Sequence, residues 1–170
     1  LLNSLSFPLF KEAFYAARAE VQKKYDEAMA KGGYIIADTP KATDDKLLEA
    51  IIAQYKGKAL FIDFWATWCG PCLGAMKAIK PFKPEMKEKG VEVIYISGET
   101  SPKGKWMTML PDIGGIHYYL TDAQWKALRE KYDIKGIPTY MVADKKGSIT
   151  YKQTGFPGVD KIKEELSKVW

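Results

Sequence analysis

Ala59-Leu60-Phe61-Ile62-Asp63-Phe64-Trp65-Ala66-Thr67-Trp68-Cys69-Gly70-Pro71-Cys72 runs from an apolar stretch straight into two thiols. Asp63 alone interrupts the apolar residues from Ala59 to Ala66. A continuous apolar run of this length fits a central strand buried on both faces. Pro71 suits the first turn of a helix, where a missing N–H costs nothing. The expected local structure is therefore strand, short loop, helix, with both cysteines of the chain at the helix start.

Two thiols separated by two residues can close into a disulfide and reopen. The attacking species is the thiolate, so one sulfur must be made acidic. Cys69, at the helix N-terminus, meets unpaired N–H groups and the positive end of the helix dipole. It is the expected nucleophile, and Cys72, one turn in and more buried, the resolving thiol. Gly70 leaves the backbone open to a partner. Asp63 lies six positions before Cys69. A buried carboxylate has a raised pKa and can take the proton of Cys72 as that thiol attacks; the alternative is a solvated strand-edge aspartate. Pro138 opens a later strand. A trans bond is the common case for X-Pro, whereas a cis bond would present the backbone of Ile137 beside the cysteines.

The chain has 170 residues, enough for one well-cored domain. Its 26 Lys+Arg and 21 Asp+Glu give a net charge of +5, spread along the chain. No basic stripe interleaved with aromatics points to nucleic acid. Two cysteines do not make a disulfide framework. No stretch approaches the ~20 apolar residues that span a bilayer, and no signal peptide is visible. The chain starts at Leu1 rather than Met and reads as part of a longer precursor.

Apolar residues at steps of three and four predict a helix over 8–31, stopped by Gly32-Gly33. It either packs on the following domain or ends an upstream one. A short strand is expected at 34–37. A helix over 44–56 would be capped by Thr43. The cysteine helix is expected from about Gly70 to Lys89, bent near Pro81 and Pro84. Val91–Ser97 is a strand, and 98–121 the least regular segment. Thr121 caps a helix over 122–132. Strands at 138–143 and 148–154 flank a hairpin turn, and a helix at 159–169 closes the chain. Strands alternating with helices imply an α/β fold, its mostly parallel sheet ending in an antiparallel edge.

The run Phe61–Cys72, followed by Gly136-Ile137-Pro138-Thr139, resembles the thioredoxin superfamily. The Trp65-Ala66-Thr67-Trp68-Cys69 wording, the preceding Tyr55-Lys56-Gly57-Lys58 and the extra segment after 91–97 look like its TlpA/ResA-type extracytoplasmic thiol–disulfide oxidoreductases. The likeness covers about 34–170. It implies a thioredoxin-like fold over 34–170: a central mixed sheet with helices on both faces, an N-terminal helical extension over 1–33 and an insertion after the strand at 91–97. It implies Cys69 attacking, Cys72 resolving, Asp63 as buried acid and Pro138 cis. Trp68, Gly70, Pro71, Ile137 and Thr139 are expected to meet the substrate. No cofactor beyond the redox-active cysteine pair, and no metal, is expected. Expected partners are protein disulfides and a membrane thiol transporter of the DsbD or CcdA kind, in the bacterial envelope on its periplasmic side. Cytochrome c maturation is the best-known client pathway of the group.

Gly-Pro between the cysteines favours a reductase within that superfamily. A net disulfide oxidase and a non-catalytic partner-binding or chaperone module are the alternatives. Three positions depart from the pattern. Ala75 stands where many ResA-type proteins carry glutamate. Lys77 stands where thioredoxins place a kinking proline. Tyr95 is the nearest match to the lysine that thioredoxins set beside the buried acid, so the counter-charge of Asp63 is left open. His117, the single histidine, is expected in a strand or loop on the sheet, with a third metal ligand beside the cysteines as the alternative. Trp106, Met107 and Met109 are expected to cover a satellite core. A peroxidatic reading fails, because Ala66 occupies the position three before Cys69 where such enzymes want threonine.

Overall fold

The computed structural model describes residues 33–170. The helix expected over 8–31, and all but Gly33 of the extension expected over 1–33, lie outside the described residues. The described elements are β1 (Tyr34–Ile36), α1 (Leu47–Ala53), β2 (Ala59–Phe64), α2 (Gly70–Ile79), α3 (Lys83–Glu88) and β3 (Val91–Gly98). They continue with α4 (Lys103–Ile113), β4 (Gly115–Leu120), α5 (Asp122–Lys131), β5 (Thr139–Ala143), β6 (Ile149–Thr154) and α6 (Val159–Ser167).

The strands form one sheet in the order β1-β4-β3-β2-β5-β6. The first four are parallel, while β5 and β6 are antiparallel to their neighbours. Every residue of β2 is buried, as its apolar sequence, interrupted only by Asp63, predicts. Side chains alternate between faces along a strand. Leu60, Ile62 and Phe64 pack with Leu48, Ile51 and Leu128 from α1 and α5. Ala59 and Phe61 pack with Ala75, Ile79, Phe82, Ile162 and Leu166 from α2, α6 and the segment between α2 and α3. The thioredoxin-like architecture is thus a mixed sheet between two helical layers.

The helix predicted from Gly70 to Lys89 is α2 and α3, joined by a 3-10 turn at Lys80–Phe82 that holds Pro81. Thr121 makes a full capping box with Gln124. Two expectations need correction. Thr43 makes no side-chain cap; its carbonyl accepts from Lys46 N, so Asp44–Lys46 forms a 3-10 turn and the α-helix starts only at Leu47. Residues 98–121 are regular: they hold α4 and β4, and β4 lies inside the sheet between β1 and β3. The sequence conceals this because β4 is covered on both faces and shows no alternation, while Pro111 and the Gly114-Gly115 pair resemble loop signals.

Gly115 is the tightest point of that junction. Its φ is +91°, and a Cβ there would lie 2.9 Å from Tyr95 Cε2 and 3.0 Å from the Val93 carbonyl oxygen. Only glycine meets both demands without strain. No helix among the described residues is long and apolar enough to cross a membrane. Gly115→Ala combines a left-handed backbone with a clash in the sheet, and is expected to destabilise the domain by about 2–4 kcal/mol, measured as a lower midpoint in urea.

Candidate active site

Strand β2 ends at Phe64, and Trp65–Trp68 carry the chain to the start of α2. Cys69 is the N-cap residue in extended conformation, with φ −82° and ψ 93°. Its Sγ accepts a hydrogen bond from Cys72 N at 3.2 Å. The two cysteines form a disulfide with their Cα atoms 5.3 Å apart. Cys69 is 3% exposed and Cys72 0%. When the disulfide opens, the same N–H and the helix dipole favour negative charge on Cys69 sulfur. Cys72 lies deeper in the core, where a partner has no access to it.

Around the disulfide, Gly70 and Pro71 are exposed, and Trp68 is 61% exposed. The Ile137–Pro138 peptide is cis. Ile137 packs against the cluster containing Trp65, Ala66, Cys69 and Cys72. The proline loop is tied down from behind: Gly155 N donates to the Pro138 carbonyl at 2.8 Å, and Thr139 Oγ1 donates to the Gly136 carbonyl at 2.7 Å. Thr139 Oγ1 also lies 3.0 Å from Thr154 Oγ1. Thr139 is fully buried, so its hydroxyl holds the loop in place rather than facing outward.

Asp63 is fully buried, and neither carboxylate oxygen has a hydrogen-bond partner among the described residues. In register it stands between Tyr95 of β3 and Tyr140 of β5. Burial pushes its pKa up to about 8, with the Lys83 ammonium pulling it down. Burial lowers Lys83 to about 8, opposed by the charge of Asp63. Lys83 donates to the Ile113 carbonyl and sits 4.8 Å from the centre of the Tyr95 ring. The counter-charge left open by Tyr95 in the sequence is therefore supplied from α3.

Lys83 is the functional candidate that sequence reasoning missed. A signal for it existed: Cys72, Met76, Ile79, Lys83 and Met86 come at steps of four and three, the spacing of one inward-facing helical stripe. A lysine on that stripe needs a buried partner.

His117 is fully buried on β4. Its ring stacks on Tyr95 at 4.8 Å, and its Nε2 lies 3.1 Å from the Gly114 carbonyl oxygen. Burial drives its pKa down to about 3, so it is neutral. It packs in the sheet, in line with the first of its two readings. Among the described residues no group of three or more His, Cys, Asp or Glu side chains is placed to hold a metal. Trp106 is fully buried against His117 and Tyr119, with Met107 and Met109 packed on the same cluster.

The redoxin family model matches residues 20–166. The chain belongs to the redoxin family. This redoxin is 30% identical over 128 residues to the thiol-disulfide oxidoreductase ResA of Geobacillus kaustophilus, spanning 75% of the chain and 72% of that protein. It is 26% identical over 169 residues to ResA of Bacillus thuringiensis strain Al Hakam, spanning 99% and 90%. The exposed lipoprotein thioredoxin of Streptococcus pneumoniae superposes with a TM-score of 0.56 at 27% identity, covering 69% of the chain and 90% of that structure. The thioredoxin domain of a Bacteroides vulgatus thiol-disulfide oxidoreductase gives 0.59 at 22% identity, covering 68% and 81%, a likeness of fold. The redoxin is a ResA-like thiol–disulfide oxidoreductase, and Cys69–Cys72 is its disulfide.

The buried acid gives stability a definite pH dependence. An unfolded aspartate has its pKa near 3.8, against about 8 in the fold. Between those values the folded chain holds a proton that the unfolded chain has lost, so stability falls as pH rises through that window. Lys83, lowered from 10.5 to about 8, titrates above it. The stability of Asp63→Asn relative to wild type should rise progressively from pH 5 toward pH 8, in parallel urea titrations of the oxidised proteins. A constant difference across that range would mean that Asp63 titrates elsewhere.

Proposed function

We propose that the redoxin reduces protein disulfides outside the bacterial cytoplasm, Cys69 attacking and Cys72 resolving. The observation that supports this most is the Cys69 sulfur capping α2, with its partner fully buried one turn behind. Cys69 thiolate attacks one sulfur of the client disulfide; the other client sulfur leaves as thiolate. Asp63, ionised, takes the proton of Cys72. Cys72 thiolate then attacks Cys69 Sγ, the second client sulfur leaves, and Cys69–Cys72 is oxidised. Two electrons pass from the cysteine pair to the client, with no further cofactor.

Asp63 must then return its proton. Lys83, which neighbours it electrostatically, also lines an open cleft of about 850 Å³ with Lys80, Lys87 and Gly114. The lining of that cleft includes no residue of the 64–72 loop or of the proline loop, which supports a role as a proton exit separate from the client surface. The client instead meets Trp68, Gly70, Pro71 and the Ile137 backbone, a shallow surface suited to an extended polypeptide.

The envelope assignment draws support from the ResA relatives and the pneumococcal exposed lipoprotein. A membrane thiol transporter of the DsbD or CcdA kind would re-reduce the pair, and cytochrome c maturation is a candidate pathway.

Insulin reduction driven by dithiothreitol tests the reading. Wild type should turn over and Cys69→Ser should not. Cys72→Ser should accumulate a mixed disulfide through Cys69. The reduction potential should fall toward about −270 mV, the reducing end, rather than about −120 mV. A value at the upper end would make the protein an oxidase, and absent turnover would make it a binding module.

A further inference from the structure

We propose that Ser101 is a positioning residue for the attacking cysteine: its buried hydroxyl, at the start of the inserted α4–β4 segment, fixes the loop that delivers Cys69 to the end of α2. The proposal rests on Cys69 being the attacking thiol.

Every polar group of Ser101 is engaged. Its N–H donates to the Gly98 carbonyl at 2.9 Å, folding the chain back just after β3. Its carbonyl accepts from Tyr119 OH, on β4, at 2.6 Å. Its Oγ accepts from Thr67 N at 3.0 Å and lies 3.0 Å from Ser97 Oγ. Ser101 is 0% exposed, Ser97 0% and Thr67 2%. The backbone of Ser101 is thus clamped from two sides, and its hydroxyl is aimed at one N–H in the active-site loop.

That N–H belongs to a turn that ends on the nucleophile. Cys69 N donates to the Ala66 carbonyl at 3.0 Å, closing Ala66–Cys69 tightly around Thr67. Within such a turn a displacement at Thr67 is passed on to Cys69. The contact at risk is the 3.2 Å approach of Cys72 N to Cys69 Sγ, which favours the thiolate. Without the serine hydroxyl, Thr67 N–H would be buried with no protein acceptor. The loop must then move to satisfy the group. The inserted segment, remote from the cysteines in sequence, would in this way set the acidity of Cys69.

The test is the pH dependence of iodoacetamide alkylation of the fully reduced protein, read at Cys69 by peptide mass. Wild type should show an acidic thiol. Ser101→Ala should shift the profile to higher pH, with alkylation at pH 7 slower by about three- to tenfold. Ser97→Ala removes an equally buried hydroxyl and leaves the bond to Thr67; it should lower the melting temperature yet keep the wild-type profile. A Ser101→Ala profile that overlays wild type overturns the proposal, and so do equal shifts in both variants. A wild type without an acidic thiol removes the Cys69 assignment and the proposal with it. Should Ser101→Ala not fold, Tyr119→Phe decides: it frees the Ser101 carbonyl and keeps the hydroxyl, so a smaller shift in the same direction supports the proposal and an unmoved profile defeats it.

Discussion

The antiparallel pairing of β2 with β5 is the constraint on which the site depends. Phe64, the last residue of β2, lies opposite Thr139, the first of β5. The C-terminal end of one strand and the N-terminal end of the other must therefore meet at the same edge of the sheet. One leads into Cys69 and the other comes directly after Pro138. A register slip of one residue would turn Asp63 and Phe64 to the wrong faces, and would carry the proline loop away from the disulfide. The buried alternation of Leu60, Ile62 and Phe64 against α1 and α5 makes that slip costly, so packing far from the sulfurs fixes their surroundings.

The same pairing creates a row of unusual residues across the sheet. Tyr140, Asp63, Tyr95 and His117 are consecutive register partners on β5, β2, β3 and β4. Three aromatic rings thus share the carboxylate's face. Burial raises the pKa of both tyrosines, and the charge of Asp63 raises them further. None of the row offers Asp63 a hydrogen bond within the protein. A carboxylate kept without donors is a poor structural choice, since an apolar residue would pack there at lower cost. It is a good choice for a group that must hold a proton near neutrality and release it.

Much of this was legible in the chain. The Phe61–Cys72 run shows a local signal strong enough to survive without context, whereas the Gly136–Thr139 motif gained its meaning only through the resemblance, since an X-Pro bond is ordinarily trans. The bent cysteine helix was readable from Pro81 and Pro84, and the start of the helix after Thr121 from that capping residue. What escaped depended on distant packing. The position of β4 inside the sheet is set by neighbours on both sides, which erase the alternation that would reveal a strand. Thr43 looked like a cap because its residue type is right; the backbone instead tightened into a 3-10 turn. Lys83 was hidden among surface lysines, Lys80 and Lys87, although its place on the stripe of Cys72, Met76 and Ile79 marks it as inward-facing.

The lysine supplies the counter-charge that the sequence left open. With Ala75 in place of a second acid and Tyr95 in place of a strand lysine, Asp63 would be an isolated buried charge whenever it ionised. Lys83 reaches the same region from α3, held by the Ile113 carbonyl and the face of Tyr95. Those two contacts keep the ammonium close enough to be felt and leave Asp63 without a direct ion pair. A direct pair would lower the carboxyl strongly and fix it in the charged state. Separation leaves each group pushed toward neutral by burial and toward charge by the other. Both then titrate near pH 8. In a strand, a lysine beside Asp63 would be bound by the fixed register of the sheet. On α3, joined through the turn at Pro81 to the α2 helix that follows Cys69, its distance from the acid is set by the packing of the helices that follow the sulfurs.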